Sequence, residues 1–234
     1  MNPFYYLIDF IYSSPCEICK APLDDSQRVI CRGCWNKLEY WDRAVPVRFF
    51  ALEEAGILPS FQKAKAVFQF SSTCRDIIHL FKYERRPSLG KRLGEFAGTF
   101  IKEDADFSRA DFLVPVPLHP VKQRERGYNQ AALLVQAISR ITQIPCPAGI
   151  MKRVRYGQSQ TKLDFSERRK NVAGLFTIIK KDIIRNKKVI VVDDVITSGS
   201  TMDACGETLL KAGADEVFAL AITHPTRKED VAFI

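Results

Sequence analysis

Two adjacent carboxylates, Asp193 and Asp194, end an apolar, strand-like run in the segment VIVVDDVITSGST, residues 189–201. Small hydroxyl residues and one glycine follow them, so the backbone N–H groups of this loop are accessible to a ligand. Such N–H groups, together with the positive N-terminus of a following helix, bind a phosphate dianion. Carboxylates repel phosphate but accept hydrogen bonds from vicinal hydroxyls. The segment therefore predicts a ribose 5-phosphate site, with the sugar diol at the aspartates and the phosphate in the loop.

Other nucleotide-binding patterns fit this segment less well. A Walker B strand would need a G-x-x-x-x-G-K-[ST] loop elsewhere in the chain, and the sequence contains none. No G-x-G-x-x-G follows a predicted strand either, which argues against a dinucleotide-binding fold. The remaining alternative is a strand–turn–helix unit whose acidic residues have no ligand.

Four cysteines form a second constellation. Cys16 and Cys19 make one C-x-x-C pair, Cys31 and Cys34 make another, and eleven residues separate the pairs. Two such turns supply the four tetrahedral sulfurs of a structural zinc site. The surrounding segment is too short to bury a core, so the metal is expected to provide its folding energy. Four free cysteines are the alternative, whereas a redox role would need a single pair in a βαβ context.

Composition limits the class of protein. The chain has 234 residues, of which 46% are hydrophobic and 26% charged, as in a soluble globular protein. Its net charge of +8 favours a polyanionic partner such as phosphates or nucleic acid. No apolar run reaches the roughly 18 residues of a membrane span. We interpret the N-terminal MNPFYYLIDFIYS as a short amphipathic helix, with membrane-surface attachment as the alternative. An odd count of seven cysteines favours the reducing cytoplasm.

Strand and helix patterns alternate along the rest of the chain, which predicts an α/β fold with a mainly parallel sheet. Strands are predicted at 63–70, 111–118, 172–179, 187–195 and 216–223. Helices are predicted within 72–86, 88–103 and 127–142, and at about 199–212. Gly90, Gly94 and Gly98 lie four residues apart on one helix face, which permits close helix packing. The polar, basic segment 153–171 has no clean periodicity and is either a functional loop or a solvated connector.

The segment VIVVDDVITSGST resembles the signature of the type I phosphoribosyltransferases, which bind phosphoribosyl pyrophosphate. Together with FKYERRPSLGKRLG, DFLVPVPLHPVKQRERGYNQAALL, RVRYGQSQTKLDFSERRKNVAGLF and the double C-x-x-C, it makes nearly the whole chain similar to the ComF family. These are competence-associated, phosphoribosyltransferase-like proteins of bacteria. The resemblance implies a type I phosphoribosyltransferase fold with a small N-terminal four-cysteine zinc module. The expected domains are an N-terminal helix and zinc ribbon at 1–43 and a transferase-like domain at 44–234, with a hood at 44–86 and a flexible loop at 153–171.

The resemblance also implies roles for individual residues. Asp193 and Asp194 would hold the ribose hydroxyls, and the turn at 115–120, with Pro117 and Leu118, would be the pyrophosphate loop. The residues expected to wrap the 5-phosphate are Thr197, Ser198, Gly199, Ser200 and Thr201. The cations suited to a pyrophosphate leaving group are Arg124, Arg126, Arg153, Arg155, Lys162, Arg168 and Arg169. The residues expected to act in catalysis are Asp193, Asp194, Arg126 and Arg155. Mg²⁺ is expected with the ligand, bridging phosphate oxygens and the diol.

The implied reaction is phosphoribosyl transfer through an oxocarbenium-like state, which needs positioning, charge neutralisation and exclusion of water. The sequence does not identify the acceptor. The alternative is a catalytically silent accessory protein that senses phosphoribosyl pyrophosphate or handles single-stranded DNA, using Tyr128, Tyr156 and Phe165 beside the basic segment. The resemblance implies a role in DNA uptake during natural transformation, with a competence DNA-translocation helicase as a partner. The expected location is the cytoplasm, with peripheral attachment at the inner face of the membrane as the alternative.

Overall fold

The structure is a computed structural model. It describes residues 15–23, 29–47, 49, 52, 56–155 and 174–226.

The main sheet has four parallel strands in the order β1, β6, β5, β2. These strands are β1 (Lys63–Gln69), β2 (Phe112–Pro115), β5 (Lys188–Val195) and β6 (Glu216–His224). A parallel sheet is covered by helices on both faces, which explains why the two central strands are nearly continuous apolar runs. Successive side chains of β5 point to opposite faces. Val189 and Val191 therefore join one apolar layer, and Ile190 and Val192 join the other. The predicted parallel α/β architecture is confirmed.

Helices cover the two faces of this sheet. The helices are α1 (Arg32–Trp35), α2 (Ser72–Tyr83), α3 (Ser88–Lys102), α4 (Pro120–Arg126), α5 (Gln130–Thr142) and α6 (Ser200–Lys211). Helices α2, α3 and α5 pack on the face that carries Ile190 and Val192. Helix α6 packs on the opposite face, together with a small antiparallel sheet of β3 (Met151–Arg153) and β4 (Phe176–Ile178). Among the described residues, no helix is both long and apolar enough to cross a bilayer.

The glycines of α3 bring this helix unusually close to α5. A β-carbon added at Gly94 would lie 2.5 Å from the Ala137 β-carbon, and one at Gly98 would lie 2.7 Å from the Ile141 β-carbon. Real β-carbons do not approach so closely, so the two backbones depend on glycine at these positions. The close packing predicted from the four-residue glycine spacing is confirmed.

Three local predictions differ from the structure. Within the described part of the predicted strand 172–179, residues 174–179, only Phe176–Ile178 is strand, and it pairs with β3 outside the main sheet. The predicted strand 111–118 ends at Pro115, because a proline-rich turn follows and leads into the unpredicted helix α4. Gly127 does not open the next helix but ends α4 in a left-handed conformation, and the Asn129 side chain caps α5 instead.

The cysteine-containing segment packs against the transferase-like part of the chain. Cys16 and Cys34 belong to the same apolar layer as α2 and α3. The Trp35 and Phe96 rings have centroids 5.8 Å apart. Within the predicted hood, Lys63–Gln69 forms the edge strand of the main sheet. The domain boundary at residue 43 stays a prediction.

Candidate phosphoribosyl site and metal centre

A cavity of about 280 Å³ lies beyond the carboxyl ends of β2 and β5. This is where open α/β sheets bind their ligands. Its polar lining consists of Lys82, Arg126, Asn129, Gln130, Arg153, Asp193, Asp194, Thr197 and Thr201. Pro117 and Leu118 contribute to the apolar wall. The cavity therefore combines carboxylates, hydroxyls and cations at the end of one sheet.

The two aspartates occupy different environments within this cavity. Asp193 is partly exposed, whereas Asp194 is only 5% exposed. The backbone N–H of Asp194 donates to Oδ1 of Asp193 at 2.9 Å. Burial and the neighbouring charge of Asp194 raise the pKa of Asp193 to about 7. Asp194 instead has a cation beside it, because the Lys82 Nζ lies 3.3 Å from its Oδ1.

The loop after β5 leads into the N-terminus of α6, where the sequence predicts a phosphate site. Gly199 has φ +79° and precedes α6 as its N-cap residue, without a side-chain capping hydrogen bond. Helix N-termini leave backbone N–H groups without intrahelical partners, and an anion satisfies them. The hydroxyls of Ser198 and Ser200 lie 3.0 Å apart, and Thr197 and Thr201 line the cavity. Loop and helix together form a cradle of the kind predicted for a phosphate.

Buried groups support this loop from beneath. The Phe49 ring lies under Gly199, so that a β-carbon there would meet it at 2.6 Å. His224, which is 4% exposed, has its Nδ1 2.8 Å from the Ile196 carbonyl oxygen. The Ser60 N–H donates to Asp203 Oδ1 at 2.7 Å, which ties α6 to the segment before β1. None of these supports was predicted from the sequence.

Only some of the predicted cations reach the cavity. Arg126 and Arg153 line it, whereas Arg124 and Arg155 do not. The Arg155 carbonyl oxygen accepts a hydrogen bond from Arg153 Nε at 3.4 Å. The predicted residues outside the described ranges are Lys162, Arg168 and Arg169, together with Tyr156 and Phe165. Most of the predicted flexible loop, 153–171, lies there too.

A positive potential surrounds the cavity mouth. Burial, followed by the charges of Arg126, Arg153 and Lys82, lowers the pKa of Lys122. Neighbouring cations disfavour the charged form of a lysine, and a bound anion relieves this effect. The cluster therefore favours a strongly anionic ligand.

Three lining residues were missed from the sequence. Lys82 comes from the end of α2, within the FKY motif that the family resemblance had already indicated. Asn129 caps α5, and its Nδ2 donates to the Val116 carbonyl oxygen at 3.0 Å. Asn129 thereby holds the turn after β2 against the helix. Gln130 accepts a hydrogen bond from Arg126 Nη1 at 3.2 Å and so positions this cation.

The four cysteines of the N-terminal segment converge. The Cys16 and Cys34 sulfurs lie 3.8 Å apart, those of Cys19 and Cys31 lie 3.6 Å apart, and all four lie within 4.8 Å of one another. A tetrahedron with metal–sulfur bonds of about 2.3 Å has edges of about 3.8 Å. The cluster therefore fits one tetrahedrally coordinated metal ion.

Backbone N–H groups favour the thiolate form of Cys16, one of these four cysteines. Burial opposes ionisation of Cys16, but N–H groups of Cys19, Cys31 and Ile18 outweigh it and lower the Cys16 pKa to about 6. The Cys31 N–H lies 3.3 Å from the Cys16 sulfur. The thiolate is the form that binds metal. Burial and the neighbouring thiols raise the pKa of Cys34, as expected where several sulfurs share one site without a cation.

Several known proteins are similar to this chain in sequence. The phosphoribosyl transferase domain family matches residues 129–233. Competence protein F of Haemophilus influenzae is 28% identical over 213 residues, covering 86% of this chain and 93% of that protein. DNA utilization protein YhgH of Escherichia coli is 26% identical over 214 residues, with the same coverage of each chain. Competence protein ComFC of Bacillus subtilis is 25% identical over 199 residues, covering 85% and 72%.

Among solved structures, glutamine phosphoribosylpyrophosphate amidotransferase from Bacillus subtilis is similar over 61% of this chain and 30% of its own, at 23% identity and a TM-score of 0.41. The matched domain family covers the end of β5, the loop after it and α6. The relatives extend the match over most of the chain. The chain is therefore similar over most of its length to competence protein F and its relatives, and its residues 129–233 match the phosphoribosyl transferase domain family.

Proposed function

We propose that this protein binds phosphoribosyl pyrophosphate together with Mg²⁺ and transfers the phosphoribosyl group to an acceptor still to be identified. One observation carries the proposal. The carboxylates of Asp193 and Asp194, the N-terminal end of α6 and the cations Arg126 and Arg153 meet at one cavity of about 280 Å³. These groups match the diol, the 5-phosphate and the pyrophosphate of that ligand.

Each group has a separate task in this proposal. Asp193 and Asp194 accept hydrogen bonds from the ribose hydroxyls and fix the sugar ring. The N–H groups at the start of α6, with Thr197 and Thr201, hold the 5-phosphate. Together they hold the reacting carbon in one place, so that leaving group and acceptor can align with it.

The cations act on the leaving group. Arg126 and Arg153 lie where pyrophosphate would collect negative charge as its bond to the sugar breaks. Donors fixed before the reaction stabilise such charge without reorganising. Mg²⁺, which prefers oxygen ligands and is often held by substrate phosphates, would add positive charge when bound with the ligand. The ligand's own phosphate and hydroxyl oxygens would hold the ion.

We also propose that the four-cysteine cluster holds a structural zinc ion. The support is the close match of its sulfur–sulfur distances to a tetrahedral site. Four protein sulfurs leave no position open for water, so this metal has a structural rather than a catalytic task.

Calorimetry with phosphoribosyl pyrophosphate, with and without Mg²⁺, tests the binding part of the proposal. We expect saturable binding that requires Mg²⁺ and is lost when the ion is chelated. A pyrophosphate-release assay across nucleobases, amines and single-stranded DNA then tests transfer. Absence of Mg²⁺-dependent binding would contradict the proposed function.

A second candidate is an accessory protein that binds the same ligand or DNA without turnover. The names of the relatives favour it, because they refer to competence and DNA utilization rather than to a reaction. In either case we place the protein in DNA uptake, in the cytoplasm. Binding without pyrophosphate release over the whole acceptor panel would favour this second candidate.

A further inference from the structure

Lys82 is a buried lysine whose ammonium group points into the cavity. It lies in the last turn of α2 and is 9% exposed. Lysines near helix ends usually extend their charged group into water. A buried ammonium is costly unless a partner compensates it. The only partner within salt-bridge distance among the described residues is Asp194, whose Oδ1 lies 3.3 Å from the Lys82 Nζ.

The end of α2 is held so that Lys82 keeps this direction. The Tyr128 hydroxyl donates to the carbonyl oxygen of Phe81, a fully buried residue. The Gln130 side chain donates to the carbonyl oxygen of Lys82 at 3.5 Å. Both bonds satisfy carbonyl groups that a helix end leaves without intrahelical partners. The start of α5 therefore fixes the helix turn that carries Lys82.

The Lys82 ammonium lies beside only one of the two neighbouring carboxylates, that of Asp194. Asp193 receives the Asp194 backbone N–H, whereas Asp194 receives the Lys82 ammonium. Two neighbouring carboxylates cannot both be ionised easily in a buried site, and a nearby cation favours the charge on the partner it touches. Lys82 therefore distinguishes two otherwise similar acids.

We propose that Lys82 is a positioning residue that supplies the counter-charge of Asp194 and orients this carboxylate toward the cavity, so that it is ready to accept the ribose hydroxyls before the ligand arrives. The inference rests on the proposed function for the identity of the ligand. Its electrostatic part concerns the ligand-free protein and can be measured without the ligand. Among the described residues, the other titratable or charged groups around the pair are Asp193 on β5, Lys122 and Arg126 on α4, Arg153 on β3, Tyr128 before α5, and Cys205 on α6.

The chain provides a matched control. Lys65 on β1 forms a salt bridge with Asp104, and both side chains are 16% exposed. This second lysine–aspartate pair is absent from the lining of the cavity. Lys65→Met therefore removes a comparable half-buried pair without touching the site. Comparison of Lys82→Met with Lys65→Met therefore distinguishes a general loss of stability from a specific effect on Asp194.

The first measurement is a carbon-13 NMR titration of the aspartate carboxyls in the ligand-free protein, with Asp194→Asn used to assign the signal. In Lys82→Met, we expect the Asp194 signal to titrate at higher pH than in wild type, because its counter-charge is gone. Lys82→Arg keeps the charge and should stay close to wild type. An unchanged midpoint in Lys82→Met overturns the inference. If Lys82→Met does not fold, Lys82→Gln takes its place.

The second measurement is Mg²⁺-dependent binding of phosphoribosyl pyrophosphate as a function of pH. In Lys82→Met, we expect binding at pH 7 to weaken by about tenfold or more and to recover toward wild type as the pH rises. Lys82→Arg should largely restore binding at pH 7, and Lys65→Met should bind as wild type does. A loss of equal size at every pH would mean that Lys82 contacts the ligand directly, and would overturn a positioning role. Equal losses in Lys65→Met would also overturn it.

The two measurements distinguish failure of the proposed function from failure of the inference about Lys82. A wild-type protein that does not bind phosphoribosyl pyrophosphate contradicts the proposed function. The NMR titration still decides whether Lys82 controls the charge of Asp194.

Discussion

Phe49 packs directly against Gly199, so closely that a β-carbon at residue 199 would stand 2.6 Å from the Cδ1 atom of the ring. Gly199 also has φ +79°, a conformation that other residues rarely adopt. Glycine is therefore required here for two separate reasons, and both act on the loop that precedes α6. The shape of the anion cradle depends on an aromatic residue 150 positions earlier in the chain.

Replacement of Gly199 by alanine should damage both stability and ligand binding. The left-handed conformation costs an alanine about 1–2 kcal/mol, and displacement of the Phe49 ring adds to this. We expect a lower melting temperature and loss of Mg²⁺-dependent binding in calorimetry. Gly149→Ala is the control, because Gly149 has φ +68° with open space around it. It should lose stability alone, and a Gly199→Ala variant that binds as wild type would contradict the assigned cradle.

Replacement of both Asp193 and Asp194 by asparagine should abolish tight binding of phosphoribosyl pyrophosphate. Each hydrogen bond to a charged group is worth about 1.5–3 kcal/mol. At about 1.4 kcal/mol per tenfold change, we expect affinity to fall by about two to four orders of magnitude. The melting temperature without ligand should fall, because Asp194→Asn leaves the buried Lys82 ammonium without its partner, although the loss of two repelling carboxylates offsets part of this cost. Retained affinity would indicate a purely structural pair.

Asp193 should make the ligand-free protein less stable as the pH rises. Its pKa is about 7 in the folded protein, above the ordinary value of 3.8 that we expect in the unfolded chain. Between these two values the unfolded chain releases the proton that the folded protein retains, so the contribution of Asp193 to stability falls with pH. Asp193→Asn should therefore match wild type near pH 4 and be more stable by about 1 kcal/mol or more at pH 8. Denaturant titrations at several pH values measure the difference, and an equal difference at all pH values would refute this assignment.

Cys31→Ser should remove the metal from the N-terminal segment. We expect one zinc ion per wild-type chain and none in the variant, measured by mass spectrometry of the intact protein and by elemental analysis. The circular dichroism of the sheet and helices should be largely retained, while the fluorescence of Trp35 changes as its contact with Phe96 is lost. Cys146→Ser, outside the cluster, should keep the metal. A wild-type protein purified without chelators and free of zinc would rule out the assignment.

DNA binding, if the chain shows it, should be electrostatic. We expect the affinity for single-stranded DNA to fall about tenfold or more between 50 and 200 mM salt, with little dependence on sequence. Arg126→Ala and Arg153→Ala should reduce the salt dependence, because these cations line the cavity mouth. Arg140→Ala is the control, since Arg140 lies at the far end of α5. Fluorescence anisotropy at several salt concentrations gives the slope, and a sequence-specific, salt-independent affinity would argue against this surface.

Most of the fold could be predicted from local sequence patterns. The apolar run before Asp193 predicted a buried strand, and the four-residue glycine spacing in α3 predicted a close helix contact but not its partner α5, because both signals repeat within a few residues. Helix α4 was missed, since it has only seven residues and begins at a proline inside a proline-rich turn. Strand β4 was overestimated, because its apolar run continues beyond the three residues that pair.

The predicted part of the site is contiguous in sequence, and the missed part is not. The aspartates and the small-residue loop follow one another, so their chemistry could be interpreted together. Lys82 lies 112 positions before Asp194, and His224 lies 28 positions after Ile196. Contacts between such distant residues arise from the order of strands in the sheet, which no local pattern specifies.

The glycine contacts between α3 and α5 also restrict how the protein can move. Two backbones in such close contact cannot slide past each other, so the helix pair behaves as one rigid body. Asn129 and Gln130, at the start of α5, belong to this body, and so does the turn after β2 that Asn129 holds. We expect any change in the shape of the cavity to involve its other walls, among them the side where β3 and β4 form a two-stranded sheet of only three residues each. Amide hydrogens along the middle of α3 and α5 should exchange among the slowest in the molecule, while those of the β3–β4 pair exchange early.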